Sequence, residues 1–195
     1  MIDYIKGQII ELTPTELILE NHGIGYSILI SLQTYEAFQL QTQAVAYIHH
    51  YIREDEELFY GFATKDEREL FRLLIGVSGI GVASARMMLS TLSSGEIRQA
   101  ILAGDVNRIK SVKGIGLKSA QRLILELKDK VAKGEGAESP AIFKADNSAV
   151  VDEATTALTM LGFSKANIST VMPGILKEHP NAKVEDIIKS ALQKL

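Results

Sequence analysis

The chain has no cysteine and no long apolar run. Without cysteine it forms no disulfide, and it has no thiolate that could bind a metal or act as a nucleophile. No stretch approaches the roughly 20 consecutive apolar residues that a bilayer-spanning helix needs. The first residues also lack the cationic segment and apolar stretch of a secretory signal. We therefore expect a cytoplasmic protein that does not enter the membrane.

Motifs for nucleotide hydrolysis and metal binding are also missing. Residues 114–119 superficially resemble a phosphate-binding P-loop, but their glycine and lysine have the wrong spacing. The neighbours His49–His50 would face opposite sides of a predicted strand, and neither His22 nor His179 has a partner at a ligand spacing. The one acidic cluster, Glu54–Glu57, has no second set of carboxylates near it in the sequence. We expect no cofactor, no metal ion and no ATP hydrolysis by the chain itself.

The net charge of -3 conceals an uneven distribution along the chain. Residues 1–64 carry two basic and nine acidic side chains, whereas residues 65–133 carry thirteen basic and seven acidic ones, a net charge of +6. Residues 134–195 carry six basic and eight acidic side chains. Salt screens charges beyond a Debye length of about 8–10 Å, so a phosphate responds to the local charge. The middle segment is therefore the candidate for binding a polyanion.

Residues 1–64 are predicted to form a small β-barrel. Five β-rich runs are separated by turn residues, namely residues 5–10, 17–20, 24–30, 45–52 and 58–62. Short strands at this spacing are typical of a closed or nearly closed barrel. The number of strands fits an OB-like barrel, but periodicity does not distinguish it from another five-stranded barrel.

Residues 65–133 are predicted to be helical. Thr64 and Glu67 match a capping box, as do Ser93 and Glu96, and a run with helical periodicity follows each pair. After the first pair, four apolar residues share one helical face: Leu70, Leu73, Leu74 and Val77. Short helical patterns with glycine between them leave little room for strands.

An internal repeat lies within this helical segment. Residues 77–86 align with residues 112–121 at an offset of 35, and the alignment keeps valine, Gly-Ile-Gly and Ser-Ala in register. Leu92 recurs as Leu127 at the same offset. Chance similarity rarely keeps the glycines, the small residues and the apolar phase together. The repeat therefore predicts two copies of one structural unit.

Residues 134–147 are predicted to be a flexible linker, because their Gly, Ser, Pro and acidic content buries little apolar surface. Residues 148–195 show two helical stripes, one ending before Gly162 and one beginning near Val184. The stretch between them is ambiguous, because Pro173–Gly174 would interrupt a helix. A three-helix mini-domain is the best fit. The whole chain is therefore predicted to be an α+β multidomain protein.

Each Gly-Ile-Gly lies between two helical patterns, which is the arrangement of a helix-hairpin-helix. Glycine adopts positive φ angles and carries no Cβ that would block a ligand. The isoleucine is expected to point inward. The helix after the second glycine presents free N–H groups and the positive end of its dipole to a phosphate. Lys118 lies in the first turn of the second such helix, where it opposes the dipole unless an anion binds beside it.

The candidate DNA-binding residues belong to the two turns and the helix starts that follow them. They are Gly79, Ile80, Gly81, Ser84 and Arg86 in the first copy, and Lys113, Gly114, Ile115, Gly116, Lys118, Ser119 and Arg122 in the second. Backbone amides and lysines read no base edges, so the predicted binding is independent of DNA sequence. One Gly-x-Gly before a helix is more often a plain turn, but two in register within a basic segment favour DNA binding.

The order of these features resembles the RuvA family of Holliday junction recognition proteins over essentially the whole chain. The resemblance is carried by the loop Arg53–Asp55, the strand end Leu58–Phe62 and the two turns Gly79–Gly81 and Gly114–Gly116. It implies a homotetramer, or two facing tetramers, on a four-way junction, with the hairpins on the minor-groove side of each arm. It also implies a role in recombination, DNA repair and the SOS response to DNA damage.

The resemblance implies protein partners as well. The third domain would contact a hexameric RuvB-type ATPase that drives branch migration, and a RuvC-type junction resolvase would act on the same DNA. Catalysis would belong to the partners, so the chain itself is expected not to be an enzyme. Leu161–Phe163 resembles a motif of ubiquitin-associated three-helix domains, which makes Leu161 and Phe163 candidate partner contacts. Core packing with a helix C-cap is the favoured alternative for Leu161 and Gly162.

The acidic cluster has two explanations. On the residues alone, it is more simply a solvated hairpin tip. The resemblance instead implies that Glu54 and Asp55 form an acidic pin beside the crossover, where carboxylates repeated fourfold repel phosphates and help to hold the strands apart. It leaves the roles of Glu56 and Glu57 open.

Positions after the two turns depart from the family pattern. The first turn is followed by Val82–Ala83, where the family usually has Pro-Lys. The second is followed by Leu117, where the family usually has the first of two lysines. The phosphate contacts would therefore depend more on backbone amides and on Arg86, Lys113 and Arg122.

Two other functions stay open on the sequence alone. A helix-hairpin-helix nuclease or repair enzyme would use the hairpins for docking and would cleave a junction in the presence of magnesium. Alternatively, the hairpins serve only packing and the tail is a general protein-interaction domain. Selective binding of four-way over linear DNA favours junction binding over the packing alternative, whereas magnesium-dependent cleavage of a junction by the chain alone would favour the nuclease.

Overall fold

The computed structural model describes residues 2–134, 147–178 and 182–195. The chain divides into two compact units, residues 1–139 and residues 140–195. The predicted boundary between barrel and helical region, at residues 64–65, lies inside the first unit. The predicted linker, residues 134–147, lies almost entirely outside the described residues.

The first unit begins with a closed five-stranded barrel, as the strand pattern predicts. Its strands are β1 (Tyr4–Leu12), β2 (Glu16–Asn21), β3 (Ile24–Ile30), β4 (Gln43–Ile52) and β5 (Glu57–Phe62). Around the barrel they follow the order β1-β2-β3-β5-β4, and β4 closes on β1. The β3–β5 pair is parallel and the other pairs are antiparallel.

Alternating side chains fill the barrel, because successive residues of a strand face opposite sides. The buried apolar residues of its core are Ile5, Leu17, Leu19, Ile28, Ile30, Phe38, Ala44, Ala46 and Ile48. Phe38 comes from a short helix, α1 (Leu32–Phe38), which the strand pattern does not predict. This helix begins at Ser31, whose hydroxyl accepts a hydrogen bond from the Thr34 amide at 3.0 Å.

Five helices complete the first unit. They are α2 (Lys65–Ile75), α3 (Val82–Thr91), α4 (Ser94–Ala103), α5 (Val106–Lys110) and α6 (Leu117–Ala132). Their buried apolar faces share one core with the end of β5, to which Tyr60 and Phe62 belong. The Phe71 ring of α2 lies 5.4 Å from the Tyr60 ring and 4.9 Å from the Phe62 ring, centroid to centroid. The barrel and the helices are therefore joined by buried aromatic contacts.

Of the two predicted capping boxes, the one at α4 forms completely and the one at α2 forms only in part. At α4 the box is complete, because the Ser93 hydroxyl accepts from the Glu96 amide and the Glu96 carboxylate accepts from the Ser93 amide. At α2 the Thr64 hydroxyl accepts from the Glu67 amide at 3.1 Å, but the Glu67 carboxylate does not return to the Thr64 amide. The complete box predicted there is therefore wrong, because the Glu67 side chain turns inward.

Glu67 is a buried carboxylate that links α2 to the barrel. It is 1% exposed. Its oxygens accept hydrogen bonds from the Ser31 hydroxyl at 2.5 Å, the Thr34 hydroxyl at 2.8 Å and the Ala63 amide at 3.3 Å. Burial raises the pKa of Glu67, and these hydrogen bonds oppose that shift. Beside it, Arg68 donates to the Asp3 backbone carbonyl at 2.8 Å.

The second unit is a bundle of three helices, as predicted. The helices are α7 (Asn147–Met160), α8 (Lys165–Glu178) and α9 (Val184–Lys194). The stretch around Pro173–Gly174 is ambiguous on the sequence alone. In the structure it is continuous helix, since Pro173 lies inside α8. The neighbouring Met172 and Ile175 are buried in the bundle core. This packing offsets the backbone hydrogen bond that proline does not donate.

None of the helices in the described parts of the chain is long and apolar enough to span a bilayer.

Replacing Glu67 tests its burial through the pH dependence of stability. A carboxyl with a raised folded-state pKa contributes stability below its ordinary pKa, and this contribution is lost as the pH rises through the raised value. Glu67→Gln keeps the side-chain shape without the charge, so its stability relative to the wild type should increase as the pH rises above the ordinary carboxyl pKa. Glu67→Ala should cost about 2–4 kcal/mol, because two buried hydroxyls lose their acceptor. Urea unfolding measures both effects, and a constant difference between Gln variant and wild type would contradict the assignment.

Candidate nucleic-acid interface

The two Gly-Ile-Gly turns have the same backbone conformation. Gly79, between α2 and α3, has a φ of +90°, and Gly114, between α5 and α6, has a φ of +91°. In the first turn the Ile80 amide donates to the Val77 carbonyl at 3.0 Å. The equivalent bond of the second turn is 3.1 Å long. The sequence repeat is thus a structural repeat of two hairpins.

The isoleucines point inward, as predicted. Ile80 is 4% exposed and Ile115 is 5% exposed, and both lie in the core shared by the helices. The first and last glycine of each turn are exposed. Each hairpin is therefore held from inside by its central side chain and shows mainly backbone to the solvent.

The last glycine of each turn is the N-cap of the next helix. Gly81 precedes α3 and Gly116 precedes α6, both with extended backbone and with no side-chain cap from a described residue. A Cβ built on either glycine meets no described atom within 4 Å. The first amides of a helix have no acceptor within the helix and form its positive end. The hairpins therefore direct free N–H groups towards open space, where an anion can bind.

The two hairpins lie side by side. A Cβ built on Gly79 would be 3.7 Å from the Oγ atom of Ser119, which belongs to the first turn of α6. Ser119 is half-buried, as is Ser84 at the equivalent position of α3. The structure thus brings the turn of the first hairpin against the helix start of the second, and the two form one continuous surface.

The cationic candidates divide into two groups. Lys113 and Lys118 are exposed and form no ion pair with a described residue. Arg122 is also exposed, but its Nε atom lies 2.6 Å from the Glu126 carboxylate one turn along α6. Arg86 is half-buried and its guanidinium donates to the Thr15 carbonyl of the β1–β2 turn at 3.4 Å. Of these four candidates, only the two lysines therefore present a positive charge without an ion-pair or hydrogen-bond partner among the described residues.

Arg86 contacts the barrel side of the molecule. It counteracts the rise that burial causes in the pKa of Tyr60, and Arg53 acts on the same hydroxyl in the same direction. Arg86 therefore connects α3 electrostatically to the region of β5 that supports the acidic loop. The sequence contains no signal for this contact, because 71 residues separate Arg86 from Thr15.

The acidic cluster forms the tight turn between β4 and β5. The Arg53 amide donates to the Glu56 carbonyl at 2.8 Å, which leaves Glu54 and Asp55 exposed at the tip. Glu57 lies at the base, where its carboxylate is 2.7 Å from the His50 Nε2 atom. The tip carboxylates form no ion pair with a described residue. The tip is therefore a concentrated negative charge facing solvent.

In the second unit, the Leu161–Phe163 motif follows the end of α7. Gly162 has a φ of +99°, and the Phe163 amide donates to the Leu158 carbonyl at 3.2 Å, which is a helix C-cap. Leu161 is 59% exposed and lies outside the bundle core, so core packing, the favoured alternative for it, is wrong, whereas Phe163 is half-buried against that core. The preceding Met160 is 85% exposed, and sequence periodicity does not single it out.

No group of histidine or acidic side chains in the described ranges could hold a metal ion.

Comparison with known proteins covers all three regions. Residues 1–61 match the family described as RuvA N terminal domain, residues 71–129 match the SAM-like Helix-hairpin-helix tandem, and residues 149–195 match RuvA, C-terminal domain. The chain is 49% identical to a protein of Bacteroides fragilis over 201 residues, 48% identical to one of Christiangramia forsetii over 195 and 50% identical to one of Parabacteroides distasonis over 196. Each alignment covers 100% of both chains, and each relative is named Holliday junction branch migration complex subunit RuvA.

Alanine substitutions at the two glycines of the second turn should show which of them the backbone conformation requires. Gly114→Ala should lower the free energy of unfolding by roughly 1–2 kcal/mol, because an L-residue is strained at its positive φ. Gly116→Ala should change it by less than about 0.5 kcal/mol, since the backbone there is extended and the space is open. Urea unfolding of both variants measures the difference. Equal losses would contradict the assigned turn conformation.

Proposed function

This chain belongs to the RuvA family, and we propose that it binds Holliday junctions as a subunit of a branch migration complex. The observation that carries the proposal is the pair of adjacent hairpins, each of which directs helix-end amides towards open space. The subunit binds the junction and holds its arms open, and it does no chemistry. ATP hydrolysis belongs to a partner.

The hairpins bind DNA through its backbone. Helix-end amides and the helix dipole attract phosphate, and they contact no base edge. Binding is therefore independent of sequence, as a subunit requires if DNA is to move past it. The proximity of Gly79 to Ser119 supports a single contact surface to which both hairpins contribute.

The two hairpins contribute differently to the electrostatics. The second carries the exposed Lys113 and Lys118, whereas the first continues into Val82–Ala83. Releasing counterions from DNA requires cationic side chains near phosphates. The salt-dependent part of the binding free energy therefore comes mainly from the second hairpin, and the first binds through its amides. Arg86 supports α3 against the barrel, and a DNA phosphate must compete with the Glu126 carboxylate for Arg122.

The acidic tip gives the complex its preference for branched DNA. Four copies of Glu54 and Asp55 near the crossover repel phosphates that approach the centre and keep the strands on separate paths. A continuous duplex lying across the centre would meet this repulsion, whereas a junction avoids it. The exposure of both carboxylates supports this role.

The assembly is a homotetramer or a pair of facing tetramers on one junction. Each subunit binds one arm weakly and without sequence preference, and four linked contacts make the branched substrate bind more tightly than one duplex. The second unit, with Leu161 and Phe163 among its contacts, recruits a hexameric RuvB-type ATPase. A RuvC-type resolvase acts on the same junction, and the complex works in the cytoplasm.

Binding of synthetic DNA tests the proposal. A four-way junction should bind at least about tenfold more tightly than a linear duplex in a gel-shift titration. The double variant Gly81→Ala/Gly116→Ala should weaken junction binding by about tenfold or more, because each methyl group occupies the space in front of the amides. Gly95→Ala is the control, since its Cβ also meets no described atom within 4 Å but lies on α4. Equal binding of the two DNAs would refute the proposal, and magnesium-dependent cleavage would favour a nuclease.

Neutralising the acidic tip should reduce selectivity. The double variant Glu54→Gln/Asp55→Asn should bind linear duplex about fivefold more tightly, because the repulsion of phosphate is removed. The ratio of junction to duplex affinity should fall accordingly. Glu36→Gln, which neutralises an exposed carboxylate of α1, is the matched control. An unchanged ratio would show that the tip has no role in selecting the junction.

A further inference from the structure

Leu117 is an exposed leucine at the start of the second hairpin's helix. It is the first residue of α6 and is 49% exposed. Its counterpart in the first hairpin, Val82, packs against the helical core. Because the two turns share one backbone conformation, this difference comes from the side chains and not from the turns. The exposed leucine therefore belongs to the surface of the second hairpin.

The position of Leu117 directs its side chain towards the space in front of the helix. The Cα–Cβ bonds of an α-helix tilt towards its N-terminus, so the first residue projects beyond the helix end. The adjacent Gly116 has open space on the same side. Any ligand that binds the free amides of α6 therefore passes close to Leu117.

The surroundings of Leu117 indicate what covers it. Lys118 follows it directly and Lys113 precedes the turn, and both are exposed and form no ion pair with a described residue. An apolar protein partner would have to desolvate these charges, which is costly. A DNA strand alternates anionic phosphates with deoxyribose rings, whose C–H surfaces are apolar. It complements a surface that carries an exposed leucine together with two exposed lysines.

We propose that Leu117 is a DNA contact that packs on a deoxyribose ring between the phosphates bound by the second hairpin. The inference rests on the proposed function and names a residue and an interaction beyond it. The contact is apolar, so it adds affinity that does not depend on counterion release. It compensates for the cation that is absent at this position.

The size of the effect follows from the area that Leu117 can bury. Removing three carbon atoms from a half-exposed leucine that becomes covered should weaken DNA binding by about fivefold to tenfold. The slope of log affinity against log salt concentration should not change, because no charge is lost. Because this loss applies to each subunit contact, the four-way junction, which engages four subunits, should lose more affinity than linear duplex.

The experiment compares Leu117→Ala, Leu117→Lys and the wild type in salt titrations of junction and duplex binding. Leu117→Ala should show the affinity loss with an unchanged slope, whereas Leu117→Lys should steepen the slope by about 0.9 per subunit contact. Leu102→Ala is the matched control, because Leu102 is 42% exposed but lies on α4. The two alanine variants should lose a similar and small amount of stability in urea unfolding, since the two leucines are about equally exposed.

Three outcomes would overturn the inference. These are wild-type affinity of Leu117→Ala, a changed salt slope in that variant, or a reduced assembly mass, which would place Leu117 between copies of the chain. Lys118→Gln distinguishes these failures from failure of the proposed function, because it should lower the slope by about 0.9 per subunit contact in any case if the hairpin binds DNA. If Lys118→Gln and Gly81→Ala/Gly116→Ala also bind like the wild type, the hairpins are not the interface.

Discussion

The conformation of two glycines determines which backbone groups the two hairpins expose to solvent. At Gly79 and Gly114 the chain turns through positive φ angles, and within two residues it changes from buried isoleucine to exposed backbone. Ile80 and Ile115 hold the turns in the core, so the amides in front of α3 and α6 keep a fixed direction relative to the helices. Amides that are already oriented bind a phosphate without the entropy cost of ordering a loop.

Buried contacts also connect the hairpins to the acidic tip. The acidic tip lies at the start of β5, and the end of that strand packs through Tyr60 and Phe62 on Phe71 of α2, which leads to the first hairpin. Glu67 adds hydrogen bonds between α2 and α1. Exposed ion pairs contribute little to stability, whereas aromatic packing and buried hydrogen bonds contribute more. The tip and the hairpins are therefore held at a set distance by the interior of the unit.

The features that the sequence predicts are local ones. Strand alternation and glycine spacing are visible within a few residues, so the barrel, both hairpins and the three-helix tail follow from them. The contacts that the sequence does not predict join distant residues: Arg86 with Thr15, Glu67 with Ser31, and Gly79 with Ser119. Periodicity shows which face of an element is apolar but not which element covers it. For the same reason a helix is continuous through Pro173, where packing outweighs local preference.

If the hairpins bind DNA as proposed, a surface made of peptide groups also affects how the DNA moves past them. Sugar–phosphate units repeat along a strand every 3.4 Å, so a hairpin that releases one unit meets an equivalent one after a step of a single base pair. The binding free energy is the same at every step, whatever bases pass, and no sequence acts as a trap. Under the proposed function, a motor that moves DNA past the hairpins would therefore work against a periodic barrier of constant height.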